Sequence, residues 1–100
     1  SDMHIIIYTI ANSEFCDSLR EYLTTNGFAF DEKNVEENRT DLSEMLSLSN
    51  NFAGVPFTVI TKPDGSTVHL RGFTQSEFDA ALTPTPPPTD GLNTTPLQAQ

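Results

Sequence analysis

Five consecutive residues, His4-Ile5-Ile6-Ile7-Tyr8, constrain this chain more than any other stretch. The run is unbroken and rich in β-branched side chains, which suits a strand covered on both faces. An amphipathic segment follows, with Phe15, Cys16, Leu19, Tyr22 and Leu23 spaced as one face of a helix. Ser13 falls where strand hands over to helix and can serve as its N-cap, the hydroxyl accepting an N–H of the first turn. Cys16 comes three residues later, so its side chain stacks above position 13 on the same face. Two sulfurs placed this way at a helix N-terminus would make a redox pair. Here one of the two is an oxygen.

The rest of the chain continues the alternation. The first strand is predicted over 4–9 and the first helix over 14–25, closed by Asn26-Gly27 with Gly27 as the left-handed residue after the cap. Glu14 and Asp17 complement the dipole of its first turn. Phe28-Ala29-Phe30 opens a second strand that reaches Asn34, with Val35 near its end. After the linker Glu36-Glu37-Asn38-Arg39, Thr40 is the expected N-cap of a second helix whose Leu42, Met45, Leu46 and Leu48 face inward. Gly54-Val55-Pro56 leads into a buried strand, Phe57 to Thr61. Pro63-Asp64-Gly65-Ser66 turns it back into Thr67-Val68-His69-Leu70 as a hairpin. Thr74-Gln75-Ser76-Glu77 has the form of a capping box for the last helix, with Phe73 and Phe78 as the hydrophobic staple around it. The order is β-α-β-α-β-β-α, an α/β fold with a four-stranded mixed sheet flanked by helices.

Composition narrows the partners. The formal net charge is −9, from 5 basic and 14 acidic residues. That balance disfavours nucleic acid and anionic membrane as partners, because both are polyanions. No run approaches the roughly 18 apolar residues of a membrane span. A single cysteine excludes an internal disulfide and favours a reducing, cytoplasmic setting. His4 and His69 are isolated strand residues, and no Cys/His cluster has metal-ligand spacing, so no metal is expected. Residues 83–100 hold five of the seven prolines and one charge, Asp90. Such a segment cannot bury enough apolar surface to offset its ordering entropy, which implies a disordered tail behind a domain over 3–82. Ser1 and Asp2, ahead of Met3, read as a cloning remnant.

Four features in order and spacing resemble a glutaredoxin of the thioredoxin-fold superfamily. Ile7-Tyr8-Thr9 followed by Ser13-Glu14-Phe15-Cys16 is similar to the family's first strand and Cys-Pro-Tyr-Cys site. Asn26-Gly27-Phe28 with Phe30 is similar to the helix end and second strand. Gly54-Val55-Pro56 resembles the Thr-Val-Pro loop, whose proline is cis in the family. Arg71-Gly72-Phe73 with Thr74 and Gln75 resembles the Gly-Gly-aromatic element before the last helix.

The resemblance implies a thioredoxin-like fold and thiol–disulfide oxidoreductase chemistry, by dithiol exchange through position 13 as nucleophile and Cys16 as resolving thiol. Phe15, Val55, Pro56, Gly72, Phe73, Thr74 and Gln75 would then bind the disulfide substrate or glutathione. Glutathione is implied as electron donor rather than as a bound cofactor, the partners are protein or small-molecule disulfides, and a monomer is expected. Several residues depart from the family pattern. Ser13 stands where the nucleophilic cysteine belongs, Glu14 replaces proline, and Ile10 sits near a frequent lysine. Thr74 and Gln75 replace a frequent acidic pair. A serine hydroxyl here is hardly ionised near neutral pH, and no histidine is placed by the sequence to deprotonate it. With Ser13 the exchange cycle stops. Ser13 is therefore read as standing in for cysteine or selenocysteine, and the alternative is a redox-inactive binding module of the same fold. A third reading, a sensor working through Cys16 alone, requires an exposed thiol at a position expected to be partly buried.

Overall fold

A computed structural model describes residues 3–82; the expected disordered tail over 83–100 lies outside the described residues. The elements are β1 (His4–Thr9), α1 (Glu14–Thr25), β2 (Asp31–Asn34), α2 (Arg39–Leu48), β3 (Phe57–Thr61), β4 (Thr67–Arg71) and α3 (Gln75–Leu82). The sheet has four strands in the order β2-β1-β3-β4. β1 pairs with β2 in parallel, while β1–β3 and β3–β4 are antiparallel. This is the expected mixed sheet.

The apolar run in β1 is explained by its central place. Successive side chains of a strand alternate between faces, and both faces here are covered. Ile5 and Ile7 join Ile60 beneath Leu19 and Leu23 of α1 and Phe78 and Leu82 of α3. Tyr8 joins Phe57 and Val59 on the other face, against Met45 of α2 and Val35. Burying each of these large side chains contributes about 1.5–3 kcal/mol relative to leaving it exposed.

Helix ends decide where strands can begin. The N–H of Gly27 bonds to the Thr24 carbonyl at 3.1 Å and that of Phe28 to the Leu23 carbonyl at 2.9 Å, with Gly27 at φ +77. This pair of bonds is the Schellman closure. It commits the Phe28 N–H to α1, so the second strand does not open at Phe28 as expected. Pairing with β1 starts instead at Asp31, opposite Ile6. β2 is consequently a short polar edge strand, which suits an edge.

The second helix differs from expectation at both ends. Its N-cap is Asn38, not Thr40, because the Asn38 side chain accepts the Asp41 N–H at 3.0 Å. Leu48 is 40% exposed rather than inward, since it lies in the last turn beyond Met45, which is fully buried. In α3 the staple forms, with Phe73 and Phe78 ring centroids 5.3 Å apart. The reciprocal side-chain bonds of a capping box do not form among the described residues. The Thr74 carbonyl accepts the N–H groups of Glu77 and Phe78, at 3.0 and 3.2 Å, and closes that turn through the backbone.

Candidate active site

The site lies at the end of the sheet where β1 stops. Ser13 is in extended conformation, φ −115 and ψ 122, and its Oγ accepts the Cys16 N–H at 3.3 Å. Its carbonyl accepts the Asp17 N–H at 2.9 Å. The hydroxyl thus occupies the N-terminal mouth of α1, where the free N–H groups and the helix dipole favour negative charge.

Cys16 is fully buried, not partly as the sequence suggested. It belongs to the inward stripe of α1 with Leu19 and Leu23, one turn and two turns on. Phe15 leaves that stripe and is 63% exposed. In the first turn only the direction of Cys16 still points into the protein. An exposed Phe15 beside a capping Ser13 leaves an apolar wall at the mouth of the helix.

Strand register brings the second part of the site to the same end. Tyr8 pairs with Phe57, so Pro56 lies alongside the C-terminus of β1. The Val55–Pro56 peptide bond is cis, as the resemblance implied, and Pro56 is fully buried while Val55 is half-buried. Gly72 follows Arg71, which pairs with Phe57, and its N–H donates to the Pro56 carbonyl at 2.8 Å. Gly72 has φ +75, a backbone state that a β-carbon disfavours. The register thus brings Val55, Pro56 and Gly72 to the end of β1 from which the chain runs on to Ser13 and Cys16.

Three further expected ligand-binding residues lie at the start of α3. Phe73 is turned between α1 and α3, its ring centroid 5.5 Å from that of Tyr22. With Gln75 it lines an open cavity of about 390 Å³ shared with Ser18, Tyr22 and Asn26, and neither Ser13 nor Pro56 belongs to that lining. Thr74 is exposed. Its backbone serves α3.

A charged network beside Ser13 was not anticipated. Arg20, one turn beyond Cys16, donates Nε to Glu32 Oε2 at 2.7 Å and Nη1 to Asp17 Oδ1 at 2.6 Å. Its Nη2 reaches the Ile10 carbonyl at 3.4 Å, in the connector that delivers Ser13. Buried Thr9 donates its hydroxyl to the same Glu32 oxygen at 2.5 Å. The Arg20 bond chiefly, with help from Thr9 and against partial burial, holds the Glu32 carboxyl below its ordinary value. The Glu32 bond in turn holds the Arg20 guanidinium above its own, with smaller contributions from Asp17 and Cys16. Two signals for this network were available: the Asp17/Arg20 spacing on a helix and the shared parity of Thr9 and Glu32 on paired strands. Among the described residues, no group of three or more His, Cys, Asp or Glu is placed to hold a metal ion, and no helix is long and apolar enough to cross a membrane.

Comparison with known proteins bears on the whole arrangement. A family model described as glutaredoxin matches residues 5–62, more than half of the chain. Among solved structures, the chain is similar to a glutaredoxin (grx-1) from Archaeoglobus fulgidus, with a TM-score of 0.62 and 18% identity, covering 77% of this chain and 83% of that one. It is also similar to the glutaredoxin-like protein NrdH-redoxin from Escherichia coli, whose activity profile is described as thioredoxin-like. That match has a TM-score of 0.58 and 24% identity, covering 83% of this chain and 99% of that one. No curated protein matches. With its thioredoxin-like fold, its cis Val55–Pro56 bond, and a family match over most of that scaffold, the chain belongs to the glutaredoxin family.

Proposed function

We propose that this domain is built for dithiol exchange through positions 13 and 16, and that Ser13, standing in for cysteine or selenocysteine, disables the cycle in the chain as given. One observation carries the reading: the atom at Ser13 Oγ already receives the Cys16 N–H at the mouth of α1. A thiolate there would be stabilised by that N–H and the helix dipole, lowering its pKa from about 8.5 into a range of roughly 3.5–7.5. It would attack one sulfur of a substrate disulfide, forming a mixed disulfide and expelling the other sulfur as a thiolate. Cys16 would then lose its proton and attack the sulfur at 13, closing a 13–16 disulfide and releasing the second substrate thiolate. Two thiols must return the pair to the reduced state. Two glutathione molecules satisfy that balance, and so does one protein dithiol. Exposed Glu14 repels the net negative charge of glutathione and favours the protein dithiol, consistent with the thioredoxin-like profile described for NrdH-redoxin. The half-buried Val55 backbone, next to the cis bond, would pair with the extended substrate chain. A cytoplasmic location and a monomer suit this chemistry.

The test is Ser13→Cys. The variant should reduce a small mixed disulfide at a rate well above that of the Ser13 chain. A folded Ser13→Cys protein with no more turnover than the Ser13 chain would overturn the reading.

A second reading has an observation in its favour. Ser13 is satisfied as a cap and Cys16 is wholly buried, so both residues have structural roles that need no chemistry. A redox-silent module binding extended peptides through Phe15 and the Val55–Pro56 loop would use the same surface. The sensor reading lacks the exposed thiol it requires.

A further inference from the structure

We propose that Arg71 is a positioning residue, which fixes the loop carrying Val55 and Pro56 by clamping Phe52 against Gly54. The inference rests on the reading that this loop binds substrate. Arg71 ends β4 at the first position of the Gly-Gly-aromatic element, where the family resemblance has glycine and no side chain could reach anything. Here the side chain crosses to the segment after α2. Its Nη2 donates to the Ser49 carbonyl at 3.0 Å, and its guanidinium lies 5.5 Å from the Phe52 ring centroid. α2 has no basic residue in its last turn, and Ser49 is its C-cap. Arg71 thus brings to that helix end the cation its dipole favours.

Phe52 is held from several sides. Ser49 Oγ donates to the Phe52 carbonyl at 2.9 Å and accepts the Phe52 N–H at 3.1 Å. Asn50 and Asn51 have φ of +60 and +68, a region that non-glycine residues enter at a cost. The Asn51 N–H donates to the Leu46 carbonyl at 2.7 Å. Gly54 completes the clamp, because a β-carbon built there would stand 2.5 Å from Phe52 Cζ. The ring therefore packs directly on the Gly54 backbone, with the guanidinium also upon it. Val55 and the cis bond come next in the chain. The neighbouring Gly72 N–H holds the Pro56 carbonyl at 2.8 Å, so the residues at 71 and 72 grip the loop at both ends.

The experiment uses amide hydrogen exchange in the Ser13 chain and substrate kinetics in Ser13→Cys. In the Ser13 chain, Arg71→Ala should accelerate exchange at the Asn51 and Phe52 amides at least about tenfold, leaving the Ile7 and Ile60 amides unchanged. A merely structural loss would raise all four together. Gly54→Ala should produce the same local pattern, and combining it with Arg71→Ala should add little, because both act through the Phe52 ring. In the Ser13→Cys protein, Arg71→Ala should raise KM for a peptide disulfide roughly three- to tenfold with kcat within about twofold, since uniform binding is what is lost. Unchanged exchange at Asn51 and Phe52, or a kcat loss with KM unchanged, would overturn the proposal. If Ser13→Cys has no turnover at all, the redox reading fails, while the exchange result still decides whether Arg71 holds the loop.

Discussion

The last two residues of β1 make the same arrangement on opposite faces of the sheet, with different consequences. Tyr8 and Thr9 are both fully buried, and each donates its hydroxyl to a glutamate, Glu44 of α2 for Tyr8 and Glu32 of β2 for Thr9. Each glutamate also holds a cation at 2.7 Å, Lys33 on the α2 face and Arg20 on the α1 face. The two units part at the cation. Lys33 lies over the Tyr8 ring, 5.8 Å from its centroid, and stays within the α2 face. Arg20 continues to Asp17 and to the Ile10 carbonyl, and so touches the helix and the connector on either side of Ser13. One hydroxyl–carboxylate–cation unit anchors the fold, and its counterpart anchors the site.

The largest effect expected from breaking this comparison is in Tyr8→Ala. Removing a large buried aromatic costs about 3–5 kcal/mol, which denaturant unfolding would register as a large drop in midpoint with the site residues untouched. Smaller losses follow from deleting only the hydroxyls. Thr9→Val and Tyr8→Phe should each cost about 1.5–3 kcal/mol, the range for hydrogen bonds to charged groups, and toward its lower end because both glutamates are partly exposed. The two deletions share no partner and should add in the double variant. Thr9→Val and Arg20→Ala share Glu32 and should not.

Acid should weaken both units together. Arg20 holds Glu32 below the ordinary 4.5, and Lys33, then Tyr8, do the same for Glu44. A depressed folded pKa gives stability that is complete above the unfolded value and is lost as pH falls through the folded one. Unfolding midpoints should therefore fall below about pH 4.5, and Glu32→Gln or Glu44→Gln should each flatten that fall. Only the α1 face should affect the chemistry. In the Ser13→Cys protein, Arg20→Ala should move the pH profile of disulfide attack toward alkaline pH by less than about one unit, as direct contact with a charge yields 1–3. Lys33→Ala should leave that profile in place. The smallest effect belongs to Tyr22, whose pKa is pushed up to about 12 by burial first and by its bond to Asp79 second. The stability it contributes is present below its ordinary 10.0 and declines as pH rises toward 12, a decline that Tyr22→Phe should lessen slightly.

Much of this was legible in the residues. The unbroken His4–Tyr8 run announced a central strand because its alternate side chains meet two different cores. Gly27 and Gly65 marked their turns through positive φ. Asp64 accepts both the N–H and the hydroxyl of Ser66 in the hairpin turn. What was missed depended on partners distant in sequence. Phe28 looked like strand until its N–H proved to be spent on Leu23. Thr40 was expected as the cap and Asn38 as linker, but the Asn38 side chain accepts the Asp41 N–H and the helix begins at Arg39. The Ser13 cap and the cis Val55–Pro56 bond were readable from local pattern and motif order. The Arg20–Glu32–Thr9 network was missed: the Asp17/Arg20 spacing and the strand parity hint at it, but only the β1–β2 register joins its three elements. Phe73 and Gln75 were assigned to the substrate by motif; the Phe73 ring packs against Tyr22, and both residues line the cavity beside α1.

The most direct measurement is the state of the two sulfurs in Ser13→Cys after mild oxidation, read by mass spectrometry with and without thiol alkylation. The account predicts a 13–16 disulfide within one chain, formed without loss of the fold and reversed by dithiol reductant. If both thiols can still be alkylated after oxidation, or if disulfides form only between chains, the side chains at 13 and 16 do not meet as a redox pair.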